Sequence, residues 1–359
     1  MVVEVKKEIH GFLRLFGRIL KNLAPTKNIR ASLSTLSYLF SKKLNKGLIL
    51  RSDTEYNFSS NFVEYMNKNN IEEKLKKLGE NLDEESKEIV RIILERYKYI
   101  FTHNLLERDK LFSKKELNDM KKIEKWFKKY KKEFILPIEH YTFSIFYYHH
   151  GLKCFLENDV NYVINYIKNK DFIDAGAFIG DSALIFQRYY NPKRVYSFEP
   201  EETNYQLLLK TISSLNKLEN VIPVKKGLGD KEEILKLIQR GIGSYISEDG
   251  NEEIETTTID KFVEENKLNV GLIKMDIEGY ELEALKGAKK TIKKFKPILL
   301  ISIYHRGKDF FEAKSCIEEI TPNYKFIIRK LNPFHPFFDT TLIGLNRTFH
   351  AKKHTFHSL

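Results

Sequence analysis

Hydrophobic and polar positions follow two different rhythms along this chain, and the rhythm changes near Tyr141. From Ile9 onward the apolar residues Ile9, Phe12, Leu13, Phe16, Ile19 and Leu20 recur every three or four positions. That spacing puts them on one face of a helix. Lys6, Lys7, Arg14, Arg18 and Lys21 fall mostly elsewhere, so this helix is basic and amphipathic. Similar spacing predicts helices over residues 61–78 and 84–106, with breaks at Pro25 and at the polar run from Arg51 to Glu55. Residues 114–132 are dense in lysine and carry a thin apolar stripe of Ile123, Trp126 and Phe127, the pattern of a solvated helix.

Beyond Tyr141, short β-rich runs alternate with helical patterns. Strands are expected at residues 171–174, 194–199, 221–224, 270–275 and 297–303, and helices at 182–190, 202–218, 260–266, 280–292 and 310–320. The chain then runs through two β-rich stretches, 324–331 and 338–345, separated by Asn332-Pro-Phe-His-Pro336. Strands that alternate with helices form parallel βαβ units with helices on both faces. Two strands in succession pair antiparallel. The expected architecture is therefore an α/β, mostly parallel, doubly wound sheet with an antiparallel C-terminal strand, preceded by a helical N-terminal region. The divisions are residues 1–135, helical, serving packing, oligomerisation or a substrate cap; 136–347, the α/β domain; and 348–359, a basic tail.

Composition narrows the partners. A formal charge of +12 attracts anions, but the lysines are scattered as pairs, which reads as solvated helix faces. Nucleic acid is accordingly disfavoured as a partner. Peripheral membrane contact through the basic N-terminal helix and a homo-oligomer both stay open. Cys154 and Cys316 form no CxxC pair, so neither a disulfide framework nor a thiolate metal site is expected. With no apolar run long enough to span a bilayer and no leader pattern, a cytoplasmic location is expected. His350, His354 and His357 read as a frayed tail.

The chemistry concentrates in three places. Asp174-Ala-Gly176-Ala177-Phe178-Ile-Gly180-Asp181-Ser182 follows a strand and opens a helix, where open α/β sheets bind nucleotide-like ligands. A dinucleotide turn wants G-x-G-x-x-G. Counted from Gly176, its second and third glycine positions hold Phe178 and Asp181, so a pyrophosphate is refused. S-adenosylmethionine (SAM) has no phosphate and does not need that approach, while its carboxylate suits a helix N-terminus. Glu199 stands 23 residues after Gly176, before Pro200, where a carboxylate binds ribose hydroxyls. Ile273-Lys-Met-Asp276-Ile-Glu278-Gly279-Tyr-Glu281 ends a further strand at the same sheet edge. Asp276 there faces the cleft, and Glu278 either turns inward or caps the next helix.

With these motifs the sequence resembles the FkbM-type methyltransferase family. Phe172-Ile-Asp174-Ala-Gly176-Ala-Phe-Ile-Gly180, Ser197-Phe-Glu199-Pro200, the Ile273–Glu281 block and Leu285-Lys-Gly287-Ala288 carry the likeness, over roughly residues 140–347. The resemblance implies a Rossmann-like fold and SAM-dependent O-methylation of hydroxyls, with a glycan or small-molecule acceptor. It implies SAM contacts from Asp174, Gly176 and Gly180, ribose binding by Glu199, and a cleft lined by Asp276 and Glu278. Ala177, Phe178, Asp181, Ser182, Pro200 and Asp276 complete the expected cofactor shell.

An alcohol is a poor nucleophile until its proton is drawn away. His305, just past the 297–303 strand, is the expected base, with Asp276 as the alternative. Tyr304 and Arg306 are expected to orient substrate together with Glu278. Asp276, Glu278 and His305 offer divalent-cation ligands, but their spacing is not diagnostic, and a metal is not favoured.

Overall fold

The computed structural model describes residues 48–130, 160–214, 218–239 and 244–346. The expected helix at residues 9–20, Pro25, Cys154 and the histidine-bearing tail lie outside the described residues.

The centre of the molecule is a seven-stranded sheet built from β3 (Asp171–Ala175), β4 (Arg194–Phe198), β5 (Val221–Val224), β10 (Val270–Met275), β11 (Ile298–Ser302), β12 (Tyr324–Lys330) and β13 (Thr340–Asn346). Its order is β12-β13-β11-β10-β3-β4-β5. Strands β11, β10, β3, β4 and β5 run parallel. Only β13 is reversed, between β11 and β12. All six residues of β10 and all five of β3 are buried, as required of strands covered on both faces. The expected mostly parallel sheet with a reversed C-terminal strand is what the chain forms.

The covering helices are α6 (Val160–Ile167), α7 (Asp181–Tyr190), α8 (Glu202–Ser214), α9 (Ile259–Glu265), α10 (Glu281–Lys286), α11 (Lys289–Phe295) and α12 (Gly307–Ile320). Phe172, Phe186, Val195, Leu272 and Ile343 form part of one core cluster. The chain leaves β3 toward β4 and β5 on one side and returns to β10 on the other, so the strand order reverses between β3 and β10. That reversal opens a crevice at the carboxyl ends of the strands.

Two features depart from the sequence pattern. A small second sheet, formed by β6 (Gly227–Leu228), β7 (Ile234–Ile238), β8 (Tyr245–Ile246) and β9 (Glu252–Thr257), fills a stretch where no strand is expected. Its strands are short, β9 carries three glutamates and β7 buries only Leu237, so the alternation that marks a half-buried strand is faint. The expected 280–292 helix is two helices, α10 and α11, parted at Gly287-Ala288.

The helical segment before the sheet comprises α1 (Asp53–Lys68), α2 (Ile71–Gly79), α3 (Glu84–Thr102), α4 (Arg108–Leu111) and α5 (Lys114–Tyr130). The polar run read as a break is the start of α1. Ser52 Oγ accepts the Glu55 N–H while Glu55 Oε2 accepts the Ser52 N–H, a capping box. Asn70 caps α2 and splits the expected 61–78 helix. After α3 the chain enters β2 (Leu105–Glu107), paired with β1 (Leu48–Leu50).

This segment grips the sheet. Helix α3 packs on the edge strand β12. The Ile328 N–H donates to Ser86 Oγ at 2.8 Å, and Arg329 pairs with Asp83 at 2.7 Å. An edge strand covered in this way is not open to pairing with another chain. Fully buried Phe62 stacks on Tyr97 at 3.7 Å and meets Phe310 edge-on at 5.4 Å. Burying a ring of that size contributes about 1.5–3 kcal/mol. No described helix is long and apolar enough to cross a membrane.

Candidate active site at the carboxyl edge of the sheet

The crevice is built around the crossing of two backbones. Gly176 follows β3 with φ +74°, and a Cβ there would lie 1.9 Å from the Asp276 carbonyl oxygen. The glycine thus lets the end of β10 pass directly over the end of β3. The loop continues through Phe178, also left-handed at φ +48°, to Gly180 at φ +88°, which opens α7. A phenylalanine held in that region carries backbone strain. Its N–H donates to Glu199 Oε2 at 2.9 Å, and the Glu201 N–H donates to Glu199 Oε1 at 3.0 Å. Glu199 is 6% exposed, and its burial pushes its carboxyl up to about 8, against those hydrogen bonds. Ser182, in the first turn of α7, is fully buried and its hydroxyl finds no partner among the described residues.

Asp174 faces sideways along the sheet. Its Oδ1 lies 3.3 Å from Lys274 Nζ, and that ammonium also donates to the Gly176 carbonyl at 2.7 Å. Burial opposes the charge on Lys274, but Asp174, Asp276 and Asp181 together hold it above the usual lysine value. One lysine thus braces the β3 turn against β10 at the switch point. Asp181 is buried beside this pair, and burial raises it to about 7. Pro200 is partly buried after Glu199, and Ala177 is fully buried inside the turn.

The other wall of the crevice gathers side chains from β10, α10 and the end of β11. Glu278 (φ +55°) and Gly279 (φ +96°) make a tight left-handed turn after Asp276. The turn sends Glu278 inward, to 3.3 Å from His305 Nε2. The role of receiving a backbone N–H at the helix start falls to Glu281, whose Oε1 accepts from Ile277 at 2.9 Å. His305 is 5% exposed. Its Nε2 lies 3.4 Å from Asp276 Oδ1 and its Nδ1 2.9 Å from Glu281 Oε1. Burial alone would depress this histidine, but Glu281, Glu278 and Asp276 outweigh it and hold the ring protonated, up to about 10. Partial burial raises Glu278 to about 7 against the pull of His305.

Tyr304 donates its hydroxyl to Asp276 Oδ1 at 3.2 Å. Arg306 is committed to Asp309, at 2.9 and 3.1 Å, and to Glu283, at 3.1 Å, while its side chain lies over Gly279. It holds the turn from the side. Asp276, Glu281 and His305 offer ligand atoms within 4.8 Å of one another, enough to hold a cation in principle. A cation here competes with the proton on His305, which already balances the same carboxylates.

The structure therefore brings Asp276, Glu278, Tyr304 and His305 together and gathers Gly176, Phe178, Gly180, Ser182 and Glu199 at the neighbouring turn. Four contributors escape the sequence reading. Lys274 and Glu281 sit inside the Lys274–Glu281 block, whose spacing does not show that one braces the β3 turn and the other pairs with His305. Asp339 follows an irregular loop with no periodic signal, and its charge couples to Asp276. Tyr97, whose buried hydroxyl donates to the Tyr304 carbonyl at 2.8 Å, comes from a helix 207 residues away.

Residues 174–342 match the model of the methyltransferase FkbM domain. The chain carries an FkbM-type methyltransferase domain. A crystal structure of methyltransferase FkbM from Methylobacillus flagellatus KT shares the fold, with a TM-score of 0.52 and 22% identity over 80% of this chain and 60% of that one. Hexuronic acid methyltransferase AglP of Haloferax volcanii is 29% identical over 151 residues, 41% of this chain and 60% of its own length. This chain thus spans about 60% of the length of each. The helices α1–α5 precede the matched FkbM domain.

Proposed function

We propose that this FkbM-type methyltransferase transfers a methyl group from SAM to a hydroxyl of a sugar ring, with Asp276 as the general base. The observation that carries this reading is the position of Asp276. It ends β10 at the switch point, beside the glycine turn, with one oxygen already receiving a hydroxyl proton donor from Tyr304. The sugar class rests on the hexuronic acid methyltransferase among the relatives.

The residues at the turn suit SAM. The unpartnered hydroxyl of Ser182 and the opening of α7 offer donors to a carboxylate. Glu199 holds one backbone N–H on each oxygen and a further hydrogen bond with Asn204, and its remaining capacity at the end of β4 suits a ribose hydroxyl. When bound, SAM supplies an activated methyl group on its sulfonium. The protein's share is orientation and proton removal. Asp276 takes the acceptor's proton as the oxygen forms its bond to the methyl carbon and the carbon–sulfur bond breaks. The products are a methyl ether, S-adenosylhomocysteine and protonated Asp276.

His305 serves as the charged partner of Asp276, in place of the base that its histidine chemistry suggests. An imidazolium held near 10 has no lone pair to receive a proton at neutral pH. It supplies the positive charge that a metal would supply to these carboxylates, so we assign no metal to the reaction. Tyr304 fixes the Asp276 carboxylate, and Glu278 faces the acceptor.

Asp276→Asn keeps the shape and removes the base. It should lower kcat by about 10²-fold or more, the usual scale of a lost general base, with SAM affinity by calorimetry unchanged. Wild-type turnover in the variant would transfer the proton-accepting role elsewhere.

A further inference from the structure

We infer that Phe58, on helix α1 outside the FkbM domain, is a specificity-determining residue that forms with Phe338 an aromatic wall for the acceptor's pyranose ring; this deepens the sugar reading above and rests on it.

Phe58 is the hub of the rings around the catalytic side chains. Its centroid lies 5.5 Å from Phe338, 5.7 Å from Phe337, 6.1 Å from His305 and 6.3 Å from Tyr304. Phe338 in turn lies 5.4 Å from Tyr304, whose hydroxyl is on Asp276. The two phenylalanines therefore stand one ring away from the proposed base.

Their burial is graded. One helical turn further on, Phe62 is sealed at 0% exposure between Tyr97 and Phe310. Phe58 and Phe338 both keep part of their surface open. Sealed rings anchor the helix, while the half-open rings of Phe58 and Phe338 lie beside Tyr304 and His305. The carboxylates of Asp276, Glu278 and Asp339 gather around His305, the ring that Phe58 neighbours.

Half-open aromatic faces beside convergent carboxylates match a sugar ring. A pyranose presents a patch of polarised C–H bonds on its face and hydroxyls around its rim. The negative face of a phenyl ring attracts the first, and carboxylate oxygens accept from the second. A few placed polar groups beside an apolar wall are the usual composition of a small-molecule site.

The test measures initial rates with SAM and a panel of p-nitrophenyl pyranosides (glucoside, galactoside, mannoside and glucuronide), for wild type, Phe58→Leu, Phe338→Leu and Phe62→Leu. Leucine keeps the packing volume near that of the ring while removing its aromatic face. Phe58→Leu and Phe338→Leu should each raise KM for the methylated pyranoside about ten-fold, the scale of one lost aromatic contact, with kcat and SAM affinity unchanged. Phe62→Leu should lower the melting temperature and leave KM in place. If Phe58→Leu leaves KM unchanged, or lowers kcat alone, this inference falls while the sugar reading stands. If wild type methylates no pyranoside in the panel, the sugar reading falls and takes the wall with it.

Discussion

The sheet and the helical segment contribute to one site by opposite means. The sheet supplies every group that handles protons or holds a cofactor in the reading above, and nearly all of them sit in short motifs with visible spacing. Helices α1 and α3 supply no such motif, yet Phe58 touches the ring of His305 and Tyr97 holds the carbonyl of Tyr304. Asn61 Oδ1 accepts the Gly307 N–H, and the Tyr65 side chain lies against Gly307 at the start of α12. Chemistry is concentrated where strands end, while the shape of the acceptor side is set by packing from a distant part of the chain. The two regions should therefore fail differently when altered.

The largest effect is expected in the sheet. Gly176→Ala forces a Cβ to within 1.9 Å of the Asp276 carbonyl oxygen at a residue with φ +74°. Left-handed backbone costs a non-glycine residue about 1–3 kcal/mol, and the β3–β10 crossing must separate as well. Denaturant unfolding should show a loss above about 3 kcal/mol, and SAM binding should disappear with it. Gly180→Ala makes a sharper contrast. It shares the left-handed strain at φ +88°, but its new Cβ comes closest to the flexible tip of Leu208, at 2.9 Å, with no backbone atom in the way, so it should cost less. Equal losses from the two substitutions would mean that the crossing is not the constraint.

The next effect tests the ionic centre. His305 is raised toward 10 by its carboxylates, so its contribution to stability is complete below its unfolded value near 6.5 and fades as pH climbs through about 10. Glu278, raised to about 7, works in the same direction at lower pH: the folded state favours its neutral form, an advantage present below about 4.5 and lost by about 7. His305→Gln leaves Asp276, Glu278 and Glu281 facing one another without a cation. Thermal unfolding at pH 6 should show it weaker by about 3 kcal/mol, the scale of an uncompensated buried charge. The gap should narrow steadily toward pH 10. A gap that stays constant with pH would mean that the histidine is neutral in the folded protein.

Legibility in the sequence follows the same division. The strands of the main sheet are buried on both faces and read as unbroken apolar runs, so Val270–Met275 is visible from its composition. The glycine turn and Glu199 are visible because a backbone turn and a strand end need particular residue types at fixed spacing. The inward turn of Glu278 has no local sequence signal, since only the left-handed backbone at Glu278-Gly279 decides it. The charge on His305 has no local signal, because it depends on three carboxylates converging in space, one of them on α10. The wall of Phe58 and Phe338 joins positions 280 residues apart, and no local pattern carries that information. The capping box at Ser52 is a polar run, and such a run serves equally as a turn and as a helix start, so the sequence pattern alone does not tell a break from the start of α1.

The smallest effect probes the joint between the two regions. Tyr97→Phe removes one hydroxyl and leaves the ring stacked on Phe62. The Tyr304 carbonyl then loses its donor at a buried position, which costs about 1–2 kcal/mol. At about 2–4 °C per kcal/mol, that corresponds to a fall in Tm of about 2–8 °C. If the hydroxyl only secures the helix, kcat and its pH profile should stay as they are while Tm falls. If it also fixes the direction in which Tyr304 presents its own hydroxyl to Asp276, kcat should fall with KM unchanged. An unaltered Tm and an unaltered kcat together would show that α3 leans on the sheet without steering it, and the helical segment's hold on the chemistry would then rest on α1.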